Sequence, residues 1–355
     1  MAMPLRVLML GASYGSLLAS KVLLAGHSVR LVCLPAEAAL IEAEGFRVRF
    51  PLRERDGTLE VDSRRLPGTL SAGGAEGVDP SRFDLVGLAM QEPQYRSPGV
   101  RELLDAIARS GVPCMSIMNM PPLPYLRRLP GLDADALADC YTDATVWARF
   151  DPARMTLCSP DPQAFRPPDE KVNVLQVGLP TNFKAARFED AADTAMLRRL
   201  AADIDAARFE TGNGSVDLPV KLRVHDSVYV PLAKWCMLMT GNYRCILPDA
   251  IRPIRDTVLD DVERSRAIYD GVGALCLSLG AAAADLVPFE KYAKAAASLG
   301  KPSSVARAVA AGAKDVERVD RLVQRVAAQK GRRSADVDAT VAIVDRRLEA
   351  NRAAH

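Results

Sequence analysis

The opening of the chain constrains its fold more than any other stretch. Residues 5–10 (LRVLML) are a short run of strand length, apolar apart from Arg6, the pattern of a buried parallel strand. Residues 11–15 read Gly-Ala-Ser-Tyr-Gly, a tight turn. Residues 16–25 have the apolar spacing of a helix, which Gly26 ends as a C-terminal cap, and residues 29–34 (VRLVCL) are a second strand. Strand, glycine turn, helix and strand in that order open a doubly wound sheet. The alternation continues with helices at 37–44 and 100–109, strands at 83–90 and 113–118, further strands at 141–148 and 172–177, and a helix over 186–207. From Val228 onward almost every segment has helical periodicity, including Ala/Arg/Val-rich stretches at 293–297, 306–311 and 316–328 and a charged tail helix at 332–355.

At 355 residues the chain is too long for one ordinary core and suits two domains. The pattern predicts an α/β Rossmann-type domain with a doubly wound, mainly parallel sheet over residues 1–220, followed by an all-α domain over residues 221–355. A net charge of +2 gives no bulk electrostatic reason to bind nucleic acid or an anionic membrane. The seven cysteines are scattered without a CxxC pair, which reads as reduced core thiols in a cytoplasmic protein rather than a disulfide frame or a zinc site. The N-terminus lacks the pattern of a signal peptide, and no apolar run reaches membrane-spanning length. Only His27, His225 and His355 are histidines, so a metal site is not expected and a Ser-His-Asp triad has few candidates.

A dinucleotide-binding turn uses glycine to turn sharply, to let the backbone approach a pyrophosphate, and to pack its helix closely on the strand. Gly11 suits the first task, Ser13 stands where the second glycine is usual, and Gly15 comes one residue early for G-x-G-x-x-G. Gly11, Ala12, Ser13, Tyr14 and Gly15 are therefore the candidate cofactor-binding turn, with a shortened loop. The same letters match the G-x-S-x-G elbow of serine hydrolases, but that elbow follows several strands and needs a downstream histidine. At the end of the second strand, Cys33-Leu34-Pro35 offers neither an acid for a ribose 2′-hydroxyl nor an arginine for a 2′-phosphate. NAD, NADP or no cofactor all stay open at this point.

The segment from Gly11 to Val32, with Ala25-Gly26-His27 after the first helix, resembles the opening of the ketopantoate reductase family, within the 6-phosphogluconate-dehydrogenase-like architecture. Residues 84–91 (DLVGLAMQ) resemble its third-strand region, and residues 116–119 (SIMN) a strand ending in Gln-Asn-Gly. Asp226, Lys234 and Asn242 resemble the start of its helical domain, and Lys301-Pro302-Ser303-Ser304 its late Ser-Ser motif. The resemblance spans nearly the whole chain and implies an NAD(P)-dependent reductase of a small 2-oxo acid or related carbonyl, working as a homodimer. Lys234 is then the proton donor; Asn119, Asn242 and Glu317 complete the catalytic set; Gln91 and Asn119 join the glycine turn at the cofactor; and Lys234, Asn242 and Ser304 meet the substrate. His27 is structural in this reading. Apart from the resemblance, Arg244 beside Asn242 is a candidate to bind a substrate carboxylate, with a surface position as the alternative.

This sequence departs from the family pattern at functional places. Leu238 replaces an asparagine one turn after Lys234, Gln91 a lysine, and Met120 a glycine; ungapped counting puts Val316, between Asp315 and Glu317, at the late glutamate. Three alternatives follow: a cofactor-independent lyase or hydrolase of reductase ancestry that uses Lys234, an opine dehydrogenase drawing on His225 and Asp226, or a non-catalytic binding protein. Structural readings stand beside each residue. Lys234 can snorkel, Asn119 and Asn242 can form turns, Ser304 can cap a helix, Asp226 can cap the helix that carries Lys234, and Trp147, Trp235 and residues 237–239 can be core.

Overall fold

The computed structural model describes residues 3–51, 57–212 and 214–354. Its main sheet has eight strands: β1 (Arg6–Leu10), β2 (Ser28–Val32), β3 (Leu70–Gly73), β4 (Leu85–Leu88), β5 (Cys114–Ser116), β6 (Met155–Ser159), β7 (Phe183–Ala186) and β8 (Leu222–His225), in the spatial order β8-β7-β6-β5-β4-β1-β2-β3. All neighbours pair in parallel except β6 with β7. Helix α1 (Tyr14–Leu24) joins β1 to β2, α2 (Pro35–Glu44) follows β2, α3 (Val100–Ser110) precedes β5, and α4 (Ala191–Ala206) lies between β7 and β8. The strands of the first half are near-continuous apolar runs because helices cover them: Val7, Met9, Val29 and Leu31 share one core cluster with Leu17, Leu18 and Val22 of α1.

Strand order decides where a ligand can go. The chain runs outward from β1 through β2 to β3 and returns to β4 on the other side of β1. The direction of winding reverses between β1 and β4, and open sheets bind ligands outside the carboxyl ends of strands at such a point.

A second sheet of four strands is assembled from Arg47–Pro51, Thr58–Asp62, Gln163–Phe165 and Val174–Leu179. Its inner strands pair in parallel across more than a hundred residues, Arg47 opposite Val174. Residues 141–148 are not a strand. The Asp143 carboxylate accepts from the backbone N–H and hydroxyl of Thr145, closing a turn, and Trp147 buries edge-on against Tyr95 at 5.3 Å. The apolar residues there fill a core without ever pairing with another strand.

The chain divides into two compact units. Unit 1 comprises residues 3–90, 94–125 and 146–226 and holds both of these sheets; unit 2 comprises residues 91–93, 126–145 and 227–354. Unit 2 is helical, with α5 (Val262–Leu279), α6 (Phe289–Ala296), α7 (Ser304–Ala310), α8 (Val319–Gln329) and α9 (Ala335–Ala353) as its longer members. Residues 91–93 are held there by Glu92, which is buried and accepts from the backbone N–H (3.0 Å) and hydroxyl (2.8 Å) of Thr142.

Candidate active site

In unit 1 the glycine turn lies at the reversal point. Gly11 donates to Val32 O of β2 at 2.8 Å, and Ala89, just past β4, donates to Leu10 O at 2.8 Å. Gly11 has φ +102°, and a Cβ there would lie 2.6 Å from Ala89 O, so the position demands glycine twice over, by conformation and by space. Gly15 does the third glycine's work despite its early spacing: a Cβ would lie 2.8 Å from Met9 Cγ of β1, so α1 can seat on the strand only without a side chain there. Ser13 precedes α1, half-buried, and its side chain caps nothing. Ala12 is buried and Tyr14 half-buried. His27 is structural, buried with Nδ1 accepting from Leu5 N at 3.1 Å.

The other end of the crevice is set by β5. Ile117 N donates to Leu88 O at 2.7 Å, which carries residues 117–119 past the carboxyl end of the sheet. There Asn119 Oδ1 and, at the strand end, Ser116 Oγ are buried without a hydrogen-bond partner among the described residues. A buried polar atom left without a partner calls for an explanation, and a bound ligand is one. A glycine turn forced against Ala89, a helix uncapped by Ser13 and an orphaned amide oxygen at the reversal point are features that a dinucleotide could use. Gln91 is exposed and belongs to unit 2.

In unit 2 the candidate residues lie on one helical rod of changing pitch. It begins as a tight turn at Val230–Ala233, is α-helical over Lys234–Met237, widens to a π turn over Leu238–Asn242 and tightens again over Tyr243–Cys245. From residue 231 to 246 every side chain is buried except Lys234, Met237 and Asn242, which are half-buried. Their spacing is i, i+3, then five more across the π turn. On an unbroken α-helix Asn242 would sit about 80° around the axis from Lys234; the wider π turn winds less per residue and reduces that offset. It also turns Leu238 inward, 2% exposed, so the position one turn after Lys234 is apolar because it faces the core.

Four residues hold that pitch. Gly241 has no side chain because a Cβ would lie 2.1 Å from the Tyr292 hydroxyl. That hydroxyl donates to Met237 O at 3.2 Å, Arg244 Nη1 to Thr240 O at 3.1 Å, and Ser303 Oγ to Asn242 O at 2.7 Å, so three side chains satisfy carbonyls in the widened turn and immediately before it. This corrects two sequence expectations. Arg244 does not face a substrate carboxylate: it is buried, and Nη1 is also bonded to Ser265 Oγ at 3.0 Å. The cap of α7 is Ser303, which accepts from Ala306 N at 3.2 Å; Ser304 is exposed at the first helical position. Nor does Asp226 cap the rod. Its carboxylate is exposed and pairs with Arg198 in unit 1, while Ser227 Oγ takes the Tyr229 N–H at 3.1 Å.

Glu317 is buried, and its backbone is tied to the rod one residue past Asn242: the Tyr243 hydroxyl donates to Glu317 O and accepts from Val319 N at 3.1 Å. Burial holds that phenol well above the ordinary tyrosine range, so it stays neutral and able to donate. Val316 is core and Asp315 pairs with Arg352 at 2.9 Å, which leaves Glu317 as the carboxylate nearest in chain to the bridge. The structure thus gathers Lys234, Asn242 and the Glu317 backbone in unit 2, and the glycine turn and Asn119 in unit 1. Sequence reasoning missed the π turn and its staples; the signal available was a glycine in an apolar helical run, which marks close approach as readily as a helix end.

No family model and no curated protein matches this sequence. Solved structures do match in fold. A structure described as a ketopantoate reductase from Ralstonia solanacearum aligns with a TM-score of 0.67 at 16% identity over 98% of this chain and 99% of that one. D-mandelate dehydrogenase, solved with NADH and anilino(oxo)acetate, gives 0.64 at 13% identity over 98% and 99%. A dimeric ketopantoate reductase from Staphylococcus aureus gives 0.62 at 9% identity over 98% and 100%. Across its whole length, then, the chain has the two-domain fold of the ketopantoate reductases.

Proposed function

We propose that this protein is an NAD(P)-dependent reductase of a small 2-oxo acid or related carbonyl compound. The observation that carries the reading is the single open stripe of the rod: in sixteen residues of buried helix, the half-buried positions are Lys234, Met237 and Asn242. A half-buried ammonium is a suitable proton donor to a carbonyl oxygen and stabilises the charge that develops there. Asn242 orients the substrate from the same stripe, Glu317 supports it from the segment tied to Tyr243, and Ser304 offers an exposed hydroxyl at the head of α7. Asn119 and residues 11–15 would hold the nicotinamide dinucleotide, which supplies hydride when bound. The fold shared with NADH-bound D-mandelate dehydrogenase supports the choice of cofactor class.

The Staphylococcus aureus neighbour is dimeric, and we take a homodimer as the working assembly, to be checked by sedimentation. No described helix is long and apolar enough to cross a membrane, and scattered thiols suit a cytoplasmic protein. The test is a screen of 2-oxo acids with NADPH and NADH, followed by loss of absorbance at the nicotinamide band. Turnover that disappears in Lys234→Ala supports the reading. Turnover that survives unchanged in that variant removes Lys234 from the chemistry.

A further inference from the structure

A guanidinium keeps its charge in a protein, so a buried one needs a counter-charge or a full set of hydrogen bonds. Arg244 of unit 2 has neither among the described residues. It is 8% exposed and forms no ion pair with any of them. Its Nη1 donates to Thr240 O at 3.1 Å and to Ser265 Oγ of α5 at 3.0 Å, while Nε and Nη2 make no hydrogen bond to a described residue. Those two nitrogens form the edge of the guanidinium that meets an oxyanion with two parallel bonds. Burial pushes the group below the ordinary arginine range, and Arg264 and Arg252 push the same way, against Asp336 and Asp261.

The carboxylates in this neighbourhood are engaged elsewhere. Asp336, at the start of α9, takes Arg264 Nε at 2.7 Å, and Asp261 caps α5 by accepting from Arg264 N at 3.0 Å. Arg252 is tied to the end of the rod, its backbone N–H donating to Cys245 O at 3.0 Å. Asp260 stands 3.7 Å from Arg252 Nη1, yet Arg252 Nε is buried without a partner among the described residues. The Thr240 hydroxyl is a further orphan, 0% exposed and unbonded, on the residue whose carbonyl Arg244 holds. The turn packs on apolar groups: Ile254 and Val258 would stand 3.2 and 3.4 Å from a Cβ on Gly241. Donors from Thr240, Arg244 and Arg252 thus gather at one end of the rod with no described acceptor to meet them. Thr240 and Arg244 are also off the half-buried stripe of Lys234, Met237 and Asn242.

We propose that this end of the rod binds one small oxyanion, a phosphate or carboxylate group, on the Nε–Nη2 edge of Arg244, with the Thr240 hydroxyl and Arg252 as further donors. Because Arg244 also holds Thr240 O inside the π turn, an ion on its remaining edge stabilises the rod from its buried side. The site lies within unit 2, whereas the glycine turn lies in unit 1, and the inference does not depend on the dinucleotide reading.

The experiment is equilibrium dialysis of the whole protein against radiolabelled inorganic phosphate and, separately, acetate, at an ionic strength held constant with chloride. The expected result is saturable binding of at least one probe, weakened about tenfold or more in Arg244→Met. That variant should fold, because an apolar chain replaces a buried charge that has no partner. Arg244→Lys should keep part of the binding, since it retains the charge and loses the fork. Tighter binding of phosphate names a phosphoryl ligand and tighter binding of acetate a carboxylate, and either supports the site. If Arg244→Met does not fold, Thr240→Val decides: it keeps the shape of the side chain, removes only the orphaned hydroxyl, and should weaken binding severalfold. Absence of saturable binding of both probes at tens of millimolar overturns the inference. Binding left unchanged in the deciding variant also overturns it and assigns the ion to another place, such as the glycine turn.

Discussion

Two helices of this chain each carry a lysine among apolar neighbours, and they bury it to different depths. Lys21 in α1 is 0% exposed, and its ammonium donates to Leu218 O at 3.1 Å. Burial lowers it to about 7, and Lys221 and Arg208 push the same way against Asp217 and Asp205. Lys234 in the rod is half-buried, on the open stripe it shares with Met237 and Asn242. In sequence the two look alike, Ser-Lys-Val-Leu-Leu against Ala-Lys-Trp-Cys-Met. A lysine in an apolar helix signals either a satisfied core cation or a reactive group, and access to a ligand, which sequence does not report, decides between them.

The predictions that test this contrast run from large to small. Lys234→Ala should lower turnover about 10²–10⁴-fold with cofactor binding retained, the range for losing a general acid; steady-state kinetics beside a fluorescence titration separates the two. Lys21→Met should leave turnover within a factor of a few and stabilise the fold by a few kcal/mol at neutral pH. The folded pKa of Lys21, about 7, lies below that of an unfolded lysine, so the unfolded chain holds the extra proton between about pH 7 and pH 10. Stability should therefore rise with pH across that window, and denaturant midpoints of the variant should rise less steeply. If the two variants exchanged phenotypes, the contrast would be inverted.

The pitch of the rod can be tested next. Gly241→Ala puts a Cβ against the buried Tyr292 hydroxyl, and a destabilisation of about 1–3 kcal/mol is expected, the scale of overpacking a core. Tyr292→Phe removes only the hydrogen bond to Met237 O and should reduce stability by about 1 kcal/mol. If the π turn sets the stripe, both variants should also weaken substrate binding, and Gly241→Ala the more of the two.

Much of unit 1 was legible from its residues, because a doubly wound sheet writes itself as apolar strands, glycine turns and periodic helices. Local pattern reached β1, β2, β4 and β5 and the helices between them, but not β3. It failed where structure depends on distant partners. Residues 141–148 carry strand-like apolar residues, but Asp143 closes a turn on Thr145 and Trp147 finds Tyr95 instead of a neighbouring strand. The four-stranded sheet pairs Arg47 with Val174, and nothing local to either announces the other. The same long reach pairs Arg166 with Glu37 of α2. In the rod, helical spacing put Lys234 and Asn242 on one side, two turns apart, but the π turn between them was not legible. An unbroken α-helix would leave Asn242 about 80° around the axis from Lys234, and the π turn, held by Gly241, Tyr292, Arg244 and Ser303, reduces that offset.

The central claim is that the glycine turn of unit 1 serves a nicotinamide dinucleotide and that Lys234 of unit 2 acts on its partner substrate. Titration of the purified protein with NADPH and NADH, followed by nicotinamide fluorescence and repeated on Lys234→Ala, tests it most directly. Saturable binding of at least one dinucleotide, little changed by Lys234→Ala, is the predicted result. Absence of binding to either at millimolar concentration would contradict the account and turn the search toward cofactor-free chemistry at Lys234.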